Sequence, residues 1–364
     1  MNKYSLNEPF VTKIVDRKLL SKDPQLNKVY FISLDIENSD FVYDVGDSIG
    51  IIPQNDPRII DLTIKEMKAN KDNVIIHPKK NIKMPLYDFL LTEANISKTP
   101  TSLLKKFDEK IKPDKIKELL TSHHLWDLLK KYPKHKLSAQ EIVDKLLPML
   151  PRLYSVASSI KTHPNRINLL VAHVSYELSH IKRNGVCTEF LCHLAKENLT
   201  KIRLYSKEPQ NFKLANSDIP IIMIGPGMGL APFISFLEER IKTNASNKNW
   251  LFFGGKTSKD CFYFEDFLKN LEKENKLKLT TAFSRDQKDK IYVQNKIYEN
   301  RKEFIKWLDN NAVIYICGDA YQMARDVEKT LLNIFMEEKN ISPEEAEKYL
   351  EELRQNNRYL KDVY

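Results

Sequence analysis

The sequence predicts an antiparallel β-barrel domain interrupted by an α-helical insertion, followed by an α/β domain built on a parallel sheet. Three observations predict this. At 364 residues the chain exceeds one ordinary domain. Residues 10–58 alternate apolar and polar side chains, whereas apolar residues recur at helical spacing from about 61 to 150. Beyond Pro220 short apolar runs, glycine turns and amphipathic segments follow one another in turn. The expected boundaries are 1–60 and 151–215 for the barrel, 61–150 for the insertion and 216–364 for the α/β domain.

In chain order, the run Val29-Tyr30-Phe31-Ile32-Ser33-Leu34-Asp35-Ile36 has the period-two pattern of a half-buried strand, with turn signals at Asn38-Ser39-Asp40 and Gly46-Asp47. The spacing of Leu119, Leu120, Trp126, Leu128 and Leu129, and of Ala139 through Leu147, predicts helices, punctuated by Pro100, Pro113 and Pro133. Strand character returns at Arg152–Ser159, Ile167–Tyr176 and Lys201–Tyr205. The runs 221–224, 250–253, 277–283 and 313–316 each lead into a turn and a helical pattern, the mark of a parallel sheet covered on both faces.

Composition narrows the function. The chain is 42% hydrophobic and 29% charged with a net charge of +9, as in an ordinary globular protein. No apolar stretch approaches a membrane span, and Met1 to Phe10 holds no signal-peptide core. Cys187, Cys192, Cys261 and Cys317 are too sparse for a disulfide framework or a zinc site, so no metal and a cytoplasmic setting are expected. Seventeen lysines face nine acidic residues between positions 64 and 136. That excess reads as a solvated helical surface or as a docking face for an acidic electron-transfer partner. It has neither interleaved aromatics nor a nucleic-acid motif, so no nucleic-acid partner is expected.

Six segments carry chemistry. In Arg152-Leu153-Tyr154-Ser155-Val156-Ala157-Ser158-Ser159 the guanidinium can hold a pyrophosphate, the aromatic can stack on a flat ring and a hydroxyl can bond a ring nitrogen. Gly185-Val186-Cys187-Thr188 offers backbone N–H groups at a helix start. Gly225, Gly227 and Gly229 follow a buried strand and precede Ala231-Pro232-Phe233, letting the backbone approach a diphosphate. Ser284, Arg285, Lys290 and Tyr292, in Ser284-Arg285-Asp286-Gln287 and Lys290-Ile291-Tyr292-Val293-Gln294, supply hydroxyl and cationic partners for a doubly charged phosphate. An NADH site would instead favour an acidic residue on the ribose hydroxyls. Cys317 lies at a strand end, and the chain closes on Asp362-Val363-Tyr364.

Together with Tyr43-Asp44-Val45-Gly46-Asp47-Ser48-Ile49-Gly50-Ile51-Ile52-Pro53-Gln54-Asn55, these strings resemble the ferredoxin–NADP reductase superfamily over nearly the whole chain. They are most similar to the reductase half of the diflavin reductases, in particular the sulfite reductase flavoproteins. The resemblance implies an FAD-binding barrel, a connecting helical insertion and an NADP-binding α/β domain. It implies that Arg152 contacts the FAD phosphates, that Tyr154 packs on the isoalloxazine and that Ser155 bonds near its reactive nitrogen. Gly185 to Thr188 would be a second pyrophosphate contact, with Leu170, Val171, Ala172 and Tyr176 on the adenine and ribose side. The segments Ser284-Arg285-Asp286-Gln287 and Lys290-Ile291-Tyr292-Val293-Gln294 resemble the family's 2′-phosphate site, which implies NADPH. Cys317, Asp326 and Asp362 would lie near the nicotinamide, and Tyr364 would shield the flavin until nicotinamide displaces it. Met228 stands where the family has Thr, and Cys187 and Thr188 where it often has Ser. The chain starts directly at the FAD domain, so the expected acceptor is a separate protein: sulfite reductase haem protein, flavodoxin or ferredoxin. A free-standing reductase serving several carriers is the alternative enzyme, and a redox-inactive scaffold subunit the alternative of another class.

Overall fold

A computed structural model describes residues 4–23, 28–245 and 248–364, so the first three residues of the Met1 to Phe10 stretch lie outside it. The chain divides into two compact units. One comprises 1–49, 154–172 and 205–364, the other 50–153 and 173–204.

In the first unit, strands β1 (Ile14–Leu19), β2 (Val29–Asp35) and β3 (Arg166–Ala172) form an antiparallel sheet with β2 in the middle. The strand read over Val29–Asp35 forms, but its burial does not alternate: Ile32, Ser33 and Leu34 are all buried, Ser33 because its hydroxyl donates to Asn168 on β3 at 2.7 Å, while Tyr30 and Phe31 are half-exposed. Four further strands form, Phe10–Thr12, Ser48–Ile52, Arg152–Ser155 and Ile202–Lys207.

The later part of this unit is a five-stranded parallel sheet. Its strands are β4 (Ile221–Ile224), β5 (Asn249–Gly255), β6 (Lys278–Phe283), β7 (Val313–Gly318) and β8 (Tyr359–Val363), in the order β6-β5-β4-β7-β8. Both faces are covered, because successive side chains point to opposite sides. Met223, Leu251, Phe253 and Tyr315 join one apolar cluster; Ile222, Trp250, Phe252 and Ile314 join the other. Tyr315 is fully buried yet satisfied, donating to the Lys213 carbonyl at 2.9 Å and accepting from the Ala215 N–H at 2.9 Å. The order reverses between β4 and β7, and such a switch point opens a crevice at the carboxyl ends of the strands.

The second unit is mainly helical, with Ile60, Leu86, Phe89, Leu125, Trp126, Leu129 and Ile142 in one core. It departs from the sequence reading in three places. A helix begins at Pro57, within the expected barrel segment, because Asp56 caps it and accepts from the Arg58 N–H. Two small antiparallel pairs, Val74–Ile76 with Lys83–Pro85 and Ala94–Asn95 with Leu147–Pro148, interrupt the helices. The strand expected over Ile167–Tyr176 stops at Ala172, and a separate hairpin follows, Ser175–Leu178 with Ile181–Asn184. No described helix is long and apolar enough to cross a membrane.

Candidate active site

Residues Gly225 to Gly229 occupy the carboxyl end of β4, at the switch point. Gly227 has a φ of +59° and open space around its Cα, a conformation that side chains disfavour. At Gly229 a Cβ would lie 2.0 Å from the Cys317 carbonyl oxygen, and at Gly225 a Cβ would meet the Gly229 carbonyl at 2.5 Å. The loop therefore rests directly on the end of β7, and only glycine permits that approach. Beside it lies a cavity of about 470 Å³. Of the expected residues, Ala172, Gly227, Ser284, Tyr292, Val293, Gln294 and Asp326 line it. Gln294 donates to the Asp326 carboxylate at 3.4 Å, and Tyr292 is 44% exposed. Arg285 and Lys290 are exposed, while Leu170 and Val171 are buried, leaving Ala172 as the cavity contact of that trio.

Lys256, Tyr263 and Gln322 also line the cavity and escaped the sequence reading. A signal existed for Lys256, which follows Gly254-Gly255 at the end of a buried strand.

Three other expected residues converge nearby. The Ser155 hydroxyl donates to Asp362 Oδ2 at 2.7 Å, and Cys317 Sγ lies 4.0 Å from the same oxygen. Burial pushes the Cys317 thiol well up, and the Asp362 charge adds to the shift, so it remains protonated at neutral pH. Tyr364 follows β8 with its backbone fixed: its N–H donates to the Gly318 carbonyl at 3.1 Å and its carbonyl accepts from Ala320 at 3.2 Å. The residue is 62% exposed, a ring presented on an anchored backbone. The segment after Ser155 is also held: Ser159 donates through its N–H to Glu238 at 2.8 Å and through its hydroxyl to Glu239 at 2.6 Å.

In the second unit Arg152 and Leu153 are exposed. Thr188 Oγ1 accepts from the Val174 N–H at 3.1 Å and donates to the Gly185 carbonyl at 3.2 Å, so its hydroxyl is already used in bracing the turn. Cys187 is buried, and Tyr176 bonds His124 at 3.1 Å. Val186 lines a second cavity of about 340 Å³, with Arg58, Lys182 and Arg183 among its cationic walls. Arg183 is committed to Asp127, with two bonds of 2.8 Å, and lies over the Trp126 ring. The sequence reading also missed His173, Glu189 and His193, whose ligand atoms lie within 4.8 Å of one another.

Residues 2–110 and 78–190 match the family described as FAD binding domain, and residues 223–329 match the oxidoreductase NAD-binding domain. The chain belongs to the FAD binding domain family of flavoprotein oxidoreductases. The Arg152–Ser155 strand lies within the first match and the glycine loop Gly225–Gly229 within the second. The chain is 36% identical to the Bacillus subtilis (strain 168) protein named sulfite reductase [NADPH] flavoprotein alpha-component, across 99% of this chain and 62% of that protein. It is 34% identical to the protein of that name from Buchnera aphidicola subsp. Schizaphis graminum, across 99% and 61%. For the Escherichia coli O157:H7 protein of that name the figures are 33%, 99% and 62%. The chain thus spans a little over three fifths of the length of these relatives.

Proposed function

We propose that the chain is an NADPH-dependent FAD reductase that delivers electrons to a separate acceptor, serving as part of a sulfite reductase flavoprotein. The single observation that carries the reading is the convergence of Ser155 and Cys317 on Asp362, beside the glycine loop and two residues before Tyr364. The domain reading follows: residues 1–60 and 151–215 for FAD, 61–150 as the connecting insertion and 216–364 for NADP.

The residues present fit both cofactors. The glycine loop leaves room at Gly227 for a diphosphate, and Ser284 and Tyr292 face the same cavity, with the exposed Arg285 next in sequence. Arg152, on an exposed strand, suits a second pyrophosphate. When bound, FAD supplies the two-electron acceptor chemistry that no side chain can perform. The chain's own residues bind and orient. Asp362 fixes the Ser155 hydroxyl, which can hold or pass a proton at Oγ, while the protonated, buried Cys317 keeps a second negative charge away from the reacting centre. On this reading the exposed Tyr364 ring would cover the flavin until nicotinamide displaces it. The reading places the reaction in the cytoplasm, with sulfite reductase haem protein, flavodoxin or ferredoxin as acceptor.

The test is direct. The purified chain should carry FAD and not FMN, NADPH should bleach it more efficiently than NADH, and one of the three acceptor proteins should restore the colour. A colourless protein that takes up no FAD overturns the proposal and leaves the scaffold alternative.

A further inference from the structure

We propose that His173, Glu189 and His193 form a binding site for one divalent transition-metal ion of the zinc type. Glu189 closes the short helix Val186–Glu189, and His193 lies in the π-helical turn Phe190–Leu194 that continues it. His173 comes from the chain just beyond Ala172. Glu189 Oε2 is 2.8 Å from His173 Nε2 and 2.9 Å from His193 Nδ1, and the two imidazoles meet edge to face with centroids 4.5 Å apart.

Two imidazoles and a carboxylate are a donor set suited to zinc and its neighbours, and three protein ligands with an open position leave room for water. Both conditions are met. The His173 and Glu189 side chains are 10% and 12% exposed, whereas that of His193 is 33% exposed, so the trio is walled on one side and open on the other. An outer partner is present, because Asn184 Nδ2 donates to Glu189 Oε2 at 3.0 Å and fixes the carboxylate. Tetrahedral bonds of about 2.0–2.1 Å place neighbouring donors roughly 3.4 Å apart. The two His–Glu separations therefore need to open by only about half an ångström. Each histidine then presents a bare nitrogen to the metal and carries its proton on the other ring nitrogen or loses it to solvent.

π-helical turns are rare and occur disproportionately at functional sites. The location also suggests what the ion does. Residues 173–174 are already tied to 185–189 by the Val174–Thr188 bond and by the Gly185 N–H donating to the Val174 carbonyl at 2.9 Å. A metal on His173, Glu189 and His193 adds a third tie and stiffens the Gly185–Thr188 turn from behind.

The experiment uses the full chain, chelator-treated and dialysed, titrated with ZnCl2 by calorimetry and with CoCl2 by difference absorption. One equivalent of each ion should bind, and Co2+ should develop d–d bands of a nitrogen–oxygen site. His173→Ala and His193→Ala should each weaken binding at least tenfold, with Glu189→Gln as a third variant if either fails to fold by circular dichroism. Absence of stoichiometric uptake by the parent chain overturns the proposal. So does unchanged affinity in the folded variants, which would put the metal on other side chains. The readout is metal affinity, so it stands apart from any result on flavin or nucleotide.

Discussion

Asp362 holds a hydroxyl and a thiol that reach it from different strands, and Tyr364 projects from the backbone two residues further on. On the proposed function, removing that ring should change nucleotide binding more than stability. Stacking of an aromatic pair contributes on the order of 0.5–1.5 kcal/mol beyond burial. Tyr364→Ala should therefore bind NADP more tightly by up to about tenfold and lose part of its preference against NADH. A titration of oxidised protein with NADP, alongside steady-state kinetics with both nucleotides, measures this; parental values would make Tyr364 a bystander. The exposed Arg285 should act only on the reduced nucleotide that carries the extra phosphate. Arg285→Ala should lower the NADPH-to-NADH ratio of kcat/KM by roughly tenfold, as expected for a lost charge-assisted bond at a surface site. An unmoved ratio would assign the phosphate to Ser284, Lys290 or Tyr292.

At the scale of elements, the loop after β4 and the end of β7 are in backbone contact at Gly229. A methyl group there meets a carbonyl oxygen, which cannot rotate away as a side chain would. Gly229→Ala should cost about 1–3 kcal/mol of stability, as for other overpacked sites, and should raise KM for NADPH as the loop shifts. Urea unfolding and initial-rate kinetics on the same preparation test both effects. In the helical unit Glu93 joins three elements through Lys80 at 2.9 Å, His77 at 3.3 Å and Arg203 at 3.5 Å. Burial alone would raise its carboxyl, but the bond from Lys80, helped by His77 and Arg203, holds it at about 2, below the ordinary 4.5. A depressed acid stabilises the fold fully above its unfolded value and loses that contribution as pH falls from 4.5 towards 2. Glu93→Gln should therefore be less stable than the parent at pH 7, and the difference should shrink steadily across that window. Thermal melts at half-unit pH steps would show it, and a constant difference would remove Glu93 from the acid response.

At the scale of the molecule, the net charge of +9 is concentrated in the lysines between 64 and 136. If that surface guides an acidic electron carrier, encounter should slow as salt shortens the screening length from about 10 Å at 0.1 M to about 3 Å at 1 M. The rate constant for reducing an acidic flavodoxin should fall severalfold over that range, while reduction of a small neutral quinone stays level. Stopped-flow traces with the two acceptors separate guidance from a general salt effect on the protein. Equal salt responses would leave the lysines as a solvated surface.

Much of this architecture is legible in the sequence. Apolar alternation marked β2, short apolar runs marked β4, β5 and β7, and the spacing of Gly225, Gly227 and Gly229 marked the glycine loop beside the cavity. These features are local: a period of two or 3.6 residues, or a glycine triplet, reports the conformation of the segment that contains it. The meeting of Ser155 with Asp362 across 207 residues is not local, and only the strand order β6-β5-β4-β7-β8 puts β8 where Asp362 can accept that hydroxyl. The same holds for His173 beside Glu189 and His193, and for Arg183, whose guanidinium is taken up by Asp127. Periodicity sets which face of an element is buried; which distant side chain it is buried against depends on how the chain closes its long loops, and that was decided by packing.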